Sequence, residues 1–129
     1  MVAVLDLNAE LDRLTQFART PASPEADRRK GLGQVAPYRD GAIFTSKFSG
    51  SGGWERHPSG DEIVHVIEGE TLLHLLPDEG PEALDLRAGM MVIVPKGMWH
   101  RFEAASGVTL MTVTPLPTEH LPVGVENPR

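Results

Sequence analysis

The feature of this sequence that most constrains its fold is a series of short apolar or alternating runs between Tyr38 and Pro115, separated by Gly, Pro, Asp and Ser. Alternation with a period of two is the pattern of strands that bury one face, and turn residues at short intervals are typical of antiparallel sandwiches and barrels. The runs are AIFTSKF, the segment from Trp54 to His57, EIVHVIE, TLLHLL, ALDL, MMVIV, WHRFEA and VTLMTVT. We therefore predict an all-β fold of about eight strands, the number of a jelly roll.

The two ends of the chain differ from this central region. Residues 8–19 are predicted to form a short helix, with Asn8 as its cap and an apolar stripe at helical spacing. The stretch TPASPEADRRKGLGQ indicates an extended or mobile connection, and the Pro-rich end TPLPTEHLPVGVENPR is typical of a tail that wraps the surface. We therefore expect an N-terminal helix and extended arm over residues 1–37, a β-barrel over 38–115 and a tail over 116–129.

The composition excludes several kinds of site and partner. The chain has 129 residues and no cysteine, so any metal must be bound by His, Asp or Glu. Its formal charge of -6 disfavours nucleic acid and anionic lipid, because no basic surplus is present to release their counterions. Neither a signal-peptide pattern nor an apolar run of membrane-spanning length is present in the sequence. We expect a cytoplasmic protein whose partner is a small molecule or another protein.

Two short segments bring together side chains that can bind a metal ion. In GWERHPSGDE, Glu55 and His57 point to the same face of a strand, because strand side chains alternate. The turn PSGD follows, and the next strand starts at Glu62, which a hairpin of this kind can bring onto that face. In GMMVIVPKGMWH, a buried strand and a Pro-Lys-Gly turn precede His100, which can therefore be directed inward.

These segments resemble the two conserved motifs of the cupin superfamily, G-x5-H-x-H-x(3,4)-E-x6-G and G-x5-P-x-G-x2-H-x3-N. His57 matches the second histidine of the first motif, Glu62 its glutamate and Gly69 its closing glycine. The second motif is matched by Gly89, Pro95, Gly97 and His100. The resemblance implies a small single-domain, cupin_2-like protein with the cupin double-stranded β-helix, a jelly-roll barrel, and one divalent metal ion. The hard carboxylate oxygens of Glu55 and Glu62 favour Fe, Mn, Ni or Zn over Cu(I).

Three positions depart from the cupin pattern, and the first is Ser49, which stands where the first motif opens with glycine. Glu55 replaces the first histidine of the first motif, and Ala104 stands where the second motif ends in asparagine. His57, Glu62 and His100 alone would form a two-histidine, one-carboxylate set that suits non-haem Fe(II). With Glu55 as a fourth ligand, two carboxylates would cancel the charge of a divalent ion and make it a weaker Lewis acid. Alternatively, Glu55 stays unbound and carries protons as a general base.

Strand alternation also predicts where the neighbouring side chains lie. Val64, Val66 and Phe102 share the predicted metal face and would form an apolar pocket around it, although plain barrel core explains them equally well. Trp54 and Trp99 point away from the metal, towards a subunit interface or the outer core. No role is predicted for the remaining histidines, which are His65, His74 and His120.

Two kinds of function fit this prediction. The first is an enzyme whose metal coordinates a small oxygenated substrate or O2, and cupins of this kind include dioxygenases, isomerases, lyases and epimerases. The second is a non-catalytic cupin module that senses a small molecule and regulates another protein. A metal-free structural cupin is disfavoured by the complete ligand set. We also expect a homodimer, because single-domain cupins usually pair through sheet edges and the helix stripe can cover a partner.

Overall fold

Strands dominate the computed structural model, which describes residues 2–20, 29–121 and 128. One helix, α1 (Leu7–Asp12), and a 3-10 turn at Arg29–Gly31 accompany nine strands in this part of the chain. The strands are β1 (Phe17–Arg19), β2 (Leu32–Tyr38), β3 (Gly41–Ser51), β4 (Glu55–Arg56), β5 (Glu62–Leu75), β6 (Glu82–Arg87), β7 (Met91–Val94), β8 (His100–Pro115) and β9 (Glu119–His120). They join in one sheet that curls into a barrel, which confirms the predicted all-β fold with a short N-terminal helix.

The centre of the sheet consists of two long antiparallel strands, β5 and β8, of 14 and 16 residues. Each combines two runs that the sequence pattern presents as separate strands. The two runs of each strand are separated by a glycine with positive φ, which is Gly69 (76°) in β5 and Gly107 (100°) in β8. Both glycines lie next to a shift in the β5–β8 register. A Cβ at Gly69 would overlap the carbonyl oxygen of Gly107, so the two glycines allow a close approach at a bulge.

The N-terminal helix is shorter than predicted. It covers Leu7–Asp12, and its cap is Asp6, whose carboxylate accepts a hydrogen bond from the backbone N–H of Ala9 at 3.2 Å, so the prediction of Asn8 as cap is wrong. The last three residues of the predicted helix, Phe17–Arg19, form β1, which pairs in parallel with β3. Hydrogen bonding to an available strand edge outweighs the local helical pattern here, as tertiary contacts often do.

The segment before the barrel adds a further strand to the same sheet. β2 pairs antiparallel with β3 from Leu32 opposite Ser46 to Tyr38 opposite Gly41. The middle of the predicted connection, residues 21–28, lies outside the described residues. Residues 32–37, which belong to the N-terminal arm expected over residues 1–37, therefore form a strand of the sheet.

The core fills the inside of the curled sheet. Along β5 the residues Glu62, Val64 and Val66 are buried while those between them are partly exposed, which is the alternation that one buried face requires. The buried cluster contains Phe48, Val64, Val66, Leu73, Leu75, Leu86, Val94, Phe102, Ala104, Val108 and Leu110. Glu62 is the first residue of β5 on this apolar face, so its carboxylate lies at the edge of the hydrophobic core. Within the described ranges, no helix is long and apolar enough to span a bilayer.

Candidate metal centre

Four strand ends meet at one end of the barrel. Glu55 lies on the two-residue strand β4, opposite His100 of β8 on one side and His120 of β9 on the other. His57 follows β4 directly, and Glu62 is the first residue of β5. Side chains from four separate strand termini therefore converge on one volume.

Two hydrogen bonds, one between backbone atoms and one to a side-chain carboxylate, join the turns that carry these side chains. The N–H of Gly97 donates to the carbonyl oxygen of His57 at 3.0 Å, and the N–H of Lys96 donates to Asp61 Oδ1 at 2.7 Å. The Pro-Ser-Gly-Asp turn and the Pro-Lys-Gly turn thus form one unit. Because His57 precedes the first turn and His100 follows the second, these two hydrogen bonds limit the separation of the two histidines.

The structure brings together all four residues predicted as ligands. Glu62 lies at the centre: its Oε2 is 3.2 Å from His57 Nε2, and its Oε1 is 3.2 Å from His100 Nε2. Glu55 Oε1 lies 3.5 Å from His100 Nε2. One ligand atom from each of the four residues falls within 4.8 Å of all the others. His100 is fully buried, His57 and Glu62 are each 4% exposed, and Glu55 is 20% exposed.

Three of these ligand atoms are buried and have no hydrogen-bond partner among the described residues. They are His57 Nε2, Glu62 Oε1 and His100 Nε2. His100 Nε2 and Glu62 Oε1 form an ion pair at 3.2 Å but without hydrogen-bond geometry, so their burial is compensated only in part. An unsatisfied buried polar atom costs about 1–3 kcal/mol, so this arrangement is unfavourable unless something binds these atoms. A divalent cation would satisfy all three, and imidazole nitrogens with carboxylate oxygens are donors that first-row metals accept. The residues present therefore fit a divalent metal ion.

Hydrogen bonds behind the ligands hold them in this orientation. His100 Nδ1 lies 2.9 Å from the carbonyl oxygen of Met98, which can only accept, so Nδ1 carries the proton and Nε2 is directed inward. His57 Nδ1 lies within hydrogen-bond distance of Thr118 Oγ1, at 2.9 Å. The Thr114 hydroxyl donates to Glu62 Oε2 at 2.6 Å. Such outer contacts fix ring orientation and support ligand basicity at metal sites.

The charges of the cluster are strongly coupled in the metal-free protein. Burial opposes ionisation of Glu55, but contact with His100 and the charges of His100, Arg19 and His57 outweigh it and lower the pKa of Glu55 to about 2. The pKa of Glu62 is also lowered, because contacts with His100 and His57 outweigh its burial. Burial disfavours charge on His100, yet both carboxylates raise its pKa to about 10. At neutral pH the two glutamates are therefore ionised and His100 holds a proton.

Residues 118–120 return to the site, which the sequence did not indicate. Strand β9 pairs with β4, Arg56 forms a 2.9 Å ion pair with Glu119, and Thr118 supports His57. His120, to which no role was assigned, lies with its Nδ1 3.7 Å from Glu55 Oε2 and is 53% exposed. The available signal was the two-residue spacing of Thr118 and His120, which is strand spacing inside a Pro-rich segment.

A cavity of about 420 Å³ opens onto the cluster and is lined in part by Glu55, His57 and Glu62. Of the predicted pocket residues, Phe102 lines this cavity, whereas Val64 and Val66 are fully buried in the core. The cavity is of the size that small-molecule sites usually have.

The tryptophans and His74 lie outside the site. Trp54 is buried, with the Arg101 guanidinium 5.4 Å from its ring centroid, and Arg56 lies over Trp99 at 4.6 Å. His74 Nε2 contacts Glu103 at 2.9 Å. None of these side chains belongs to the described cavity lining.

Residues 43–114, from β3 to the end of β8, match the family model of the cupin domain. The chain belongs to the cupin family. This confirms the resemblance that both motifs indicated. Of the four clustered residues, His57, Glu62 and His100 stand at motif positions, and Glu55 stands where the first motif has its first histidine.

Similar proteins share part of the sequence or the fold of this chain. The chain is 31% identical over 67 residues to the uncharacterised protein YdbB of Bacillus subtilis (strain 168), covering 52% of this chain and 57% of that curated relative. A solved cupin-2 domain containing protein from Shewanella frigidimarina NCIMB 400 superposes with a TM-score of 0.62 at 21% identity, covering 92% of this chain and 95% of that one. Hydroquinone 1,2-dioxygenase from Sphingomonas sp. TTNP3, solved with 4-hydroxybenzoate, gives 0.57 at 20% identity, covering 72% and 66%.

Proposed function

We propose that this cupin binds one divalent metal ion, Fe, Mn, Ni or Zn, on Glu55, His57, Glu62 and His100, and that it acts on a small oxygenated organic molecule in the adjoining cavity. The observation that carries the proposal is the set of three buried ligand atoms without hydrogen-bond partners in the described chain, directed at one point beside that cavity. When bound, the metal supplies Lewis acidity towards an oxygen of the molecule in the cavity.

The protein's own residues provide orientation, charge and a low-dielectric environment. Thr118 and the Met98 carbonyl hold the two imidazoles, and Thr114 holds Glu62. The apolar core beneath Glu62 keeps bulk water from the inner side of the site. Glu55 is the most exposed of the four residues and lies beside His120, so it is the carboxylate best placed to exchange a proton with solvent.

The proposed reaction is of the dioxygenase, isomerase or lyase type, and the metal decides which of these chemistries is accessible. Elemental analysis of protein purified without an affinity tag identifies the metal. The metal-loaded and metal-free protein are then compared for turnover of a library of small oxygenated molecules. Metal-dependent turnover supports an enzyme. Binding without turnover would instead indicate a non-catalytic cupin module that senses a small molecule.

Replacing Glu55 with glutamine tests the fourth ligand. We expect Glu55→Gln to weaken metal binding by roughly 10-fold or more, because a neutral amide oxygen is a poorer donor than a carboxylate and the compensating charge is lost. Titration of the metal-free protein with Mn²⁺ by calorimetry measures the dissociation constant. An unchanged dissociation constant combined with lost turnover would show instead that Glu55 is an unbound general base.

We also propose that the cupin is a homodimer. Ile43, Ile63, Ile93 and Val113 lie opposite one another on the neighbouring strands β3, β5, β7 and β8, on the face that points away from the cavity. Ile93 is 59% exposed, and the row forms a continuous aliphatic strip that a second copy related by twofold symmetry can cover. A charge in this strip would oppose its burial.

We therefore expect Ile93→Asp to convert a dimer into a monomer, as measured by light scattering coupled to gel filtration at roughly tens of micromolar. Leu72→Asp is the matched control, because Leu72 is an exposed aliphatic residue opposite Asp85 and Glu103, outside this strip. It should keep the wild-type mass. A monomeric wild type, or a dimeric Ile93→Asp variant, would contradict this interface.

A further inference from the structure

Two hydroxyl groups in the cavity wall form a chain that ends on a metal ligand. Thr112 and Thr114 are alternate residues of β8, so their side chains share a face of the sheet, and both line the cavity. The Thr114 hydroxyl donates to Glu62 Oε2 at 2.6 Å, and the hydroxyl oxygens of Thr112 and Thr114 lie 2.9 Å apart. A continuous series of hydrogen bonds therefore runs from Thr112 to Glu62.

The carboxylate fixes the direction of this chain. A carboxylate that binds a metal ion is ionised and can only accept hydrogen bonds, so Thr114 donates to Glu62. A hydroxyl has a single hydrogen, and Thr114 has used it, so Thr114 can only accept from Thr112. Thr112 therefore donates its own hydrogen to Thr114. The lone pairs of its oxygen are what remain for the cavity, which makes the Thr112 hydroxyl an acceptor for any molecule bound there.

The other side chains that flank Thr112 are apolar. Its cross-strand neighbours are Val64 on β5 and Phe44 on β3, and Leu110 precedes it on the same face of β8. Among the described residues, Thr114 is the hydrogen-bond partner of its hydroxyl. Val64 and Leu110 are buried, whereas Thr112 is partly exposed, so its lone pairs can be reached from the cavity. The acceptor is therefore a single polar point in an apolar part of the wall.

We propose that Thr112 selects ligands that carry a hydroxyl group, which donates its hydrogen to the Thr112 oxygen while another oxygen group of the same molecule binds at the metal centre. The inference rests on the proposed function, because the metal keeps Glu62 ionised and thereby fixes the direction of the chain. It narrows the ligand to a molecule with a hydrogen-bond donor separate from its metal-binding oxygen. Thr112 is thus a specificity-determining residue that is not a metal ligand.

The test uses the Mn²⁺-loaded protein and pairs of carboxylates that differ in one group. Calorimetric titration compares γ-hydroxybutyrate with γ-fluorobutyrate, and δ-hydroxyvalerate with δ-fluorovalerate. In each pair the carboxylate is the group for the metal, and fluorine is close to a hydroxyl in size but has no hydrogen to donate. We expect the hydroxy compound of at least one pair to bind roughly 3- to 10-fold more tightly, the effect of one neutral hydrogen bond. Equal or undetectable binding within both pairs would overturn the proposal.

Variants of Thr112 assign the preference to this side chain. Thr112→Val keeps the branched shape without the hydroxyl and should abolish the preference, whereas Thr112→Ser should retain it. Thr45→Val is the matched control, because Thr45 is a buried threonine of β3 outside the described cavity lining, and its hydroxyl oxygen has no hydrogen-bond partner among the described residues. It should keep the wild-type preference. A preference that survives in Thr112→Val would place the ligand's hydroxyl elsewhere and overturn the assignment.

Mn²⁺ titration of the same samples separates two kinds of failure. A wild type that binds no Mn²⁺ would reject the proposed function itself, whereas normal Mn²⁺ binding without a preference for the hydroxy compounds would reject only this inference. Thr112→Val should bind Mn²⁺ about as tightly as the wild type, because Thr114 can still donate to Glu62. A much weaker Mn²⁺ affinity would count against a role in ligand selection. If Thr112→Val does not fold, the wild-type pairs still decide whether the cavity favours a donor.

Discussion

His100→Ala is expected to abolish tight metal binding. Its Nε2 is fully buried and contacts both Glu55 and Glu62, so no solvent-facing group can replace it without opening the barrel end. Loss of an outer contact alone typically costs 10–100-fold in metal affinity, and we expect loss of this ligand to exceed about 100-fold. His57→Ala should have the same effect, because its Nε2 lies across Glu62 from that of His100. Elemental analysis after gel filtration measures the retained metal.

The control for this experiment is His65→Ala. His65 lies on β5, as Glu62 does, but on the opposite face, outside the described metal cluster. It should retain metal at the wild-type ratio. His100→Asn, which keeps more of the side-chain volume, distinguishes loss of a ligand from collapse of the site. Full metal occupancy in both His57→Ala and His100→Ala would reject the proposed centre.

Metal affinity is expected to increase with pH by roughly tenfold per unit between pH 7 and 8.5, the change that one displaced proton produces. In the metal-free protein the two carboxylates raise the pKa of His100 to about 10, so this histidine is protonated throughout that range. A metal ion must displace the proton to reach Nε2. Raising the pH towards 10 weakens this competition, and lowering it strengthens the competition. The metal ion is therefore expected to bind more tightly at higher pH.

Calorimetric titration with Mn²⁺ in two buffers of different ionisation enthalpy measures the protons released at pH 7.5. We expect at least about one per metal from His100. Mn²⁺ is preferred to Zn²⁺, because zinc-bound water can itself ionise near neutral pH and add to the count. Glu55→Gln should release fewer protons, since Glu55 is one of the two groups that raise the His100 pKa. A dissociation constant that does not change over this range would contradict the protonated state of His100.

The parts of the fold and site that were predictable depend on local rules. Strand alternation places Glu55 and His57 on one face, and turn chemistry brings Glu62 and His100 to the same barrel end, as the structure shows. These inferences need only a few neighbouring residues each. The two motifs then supply the fold that joins them.

The parts that were missed depend on long-range pairing. Residues 17–19 satisfy a helical pattern but form β1, because β3 offers hydrogen-bond partners that no local rule reveals. Thr118 and His120 reach the site through β9, which pairs with β4 more than sixty residues earlier. Arg19 lines the cavity because β1, on which it lies, pairs with the distant strand β3. Periodicity reports which face of an element is apolar, but it does not report which distant strand will lie beside it.

The pairing of β9 with β4 links the metal centre to local opening of the chain. β9 has two residues and meets β4 at two positions, whereas β5 and β8 pair along most of the barrel. Short peripheral strands open at a smaller free-energy cost than central ones, and their amides exchange with solvent sooner. Thr118, which adjoins β9, loses its contact with His57 whenever that segment detaches. The readiness of His57 to bind a metal ion is therefore governed by one of the least protected strands of the sheet, even though the histidine itself is buried.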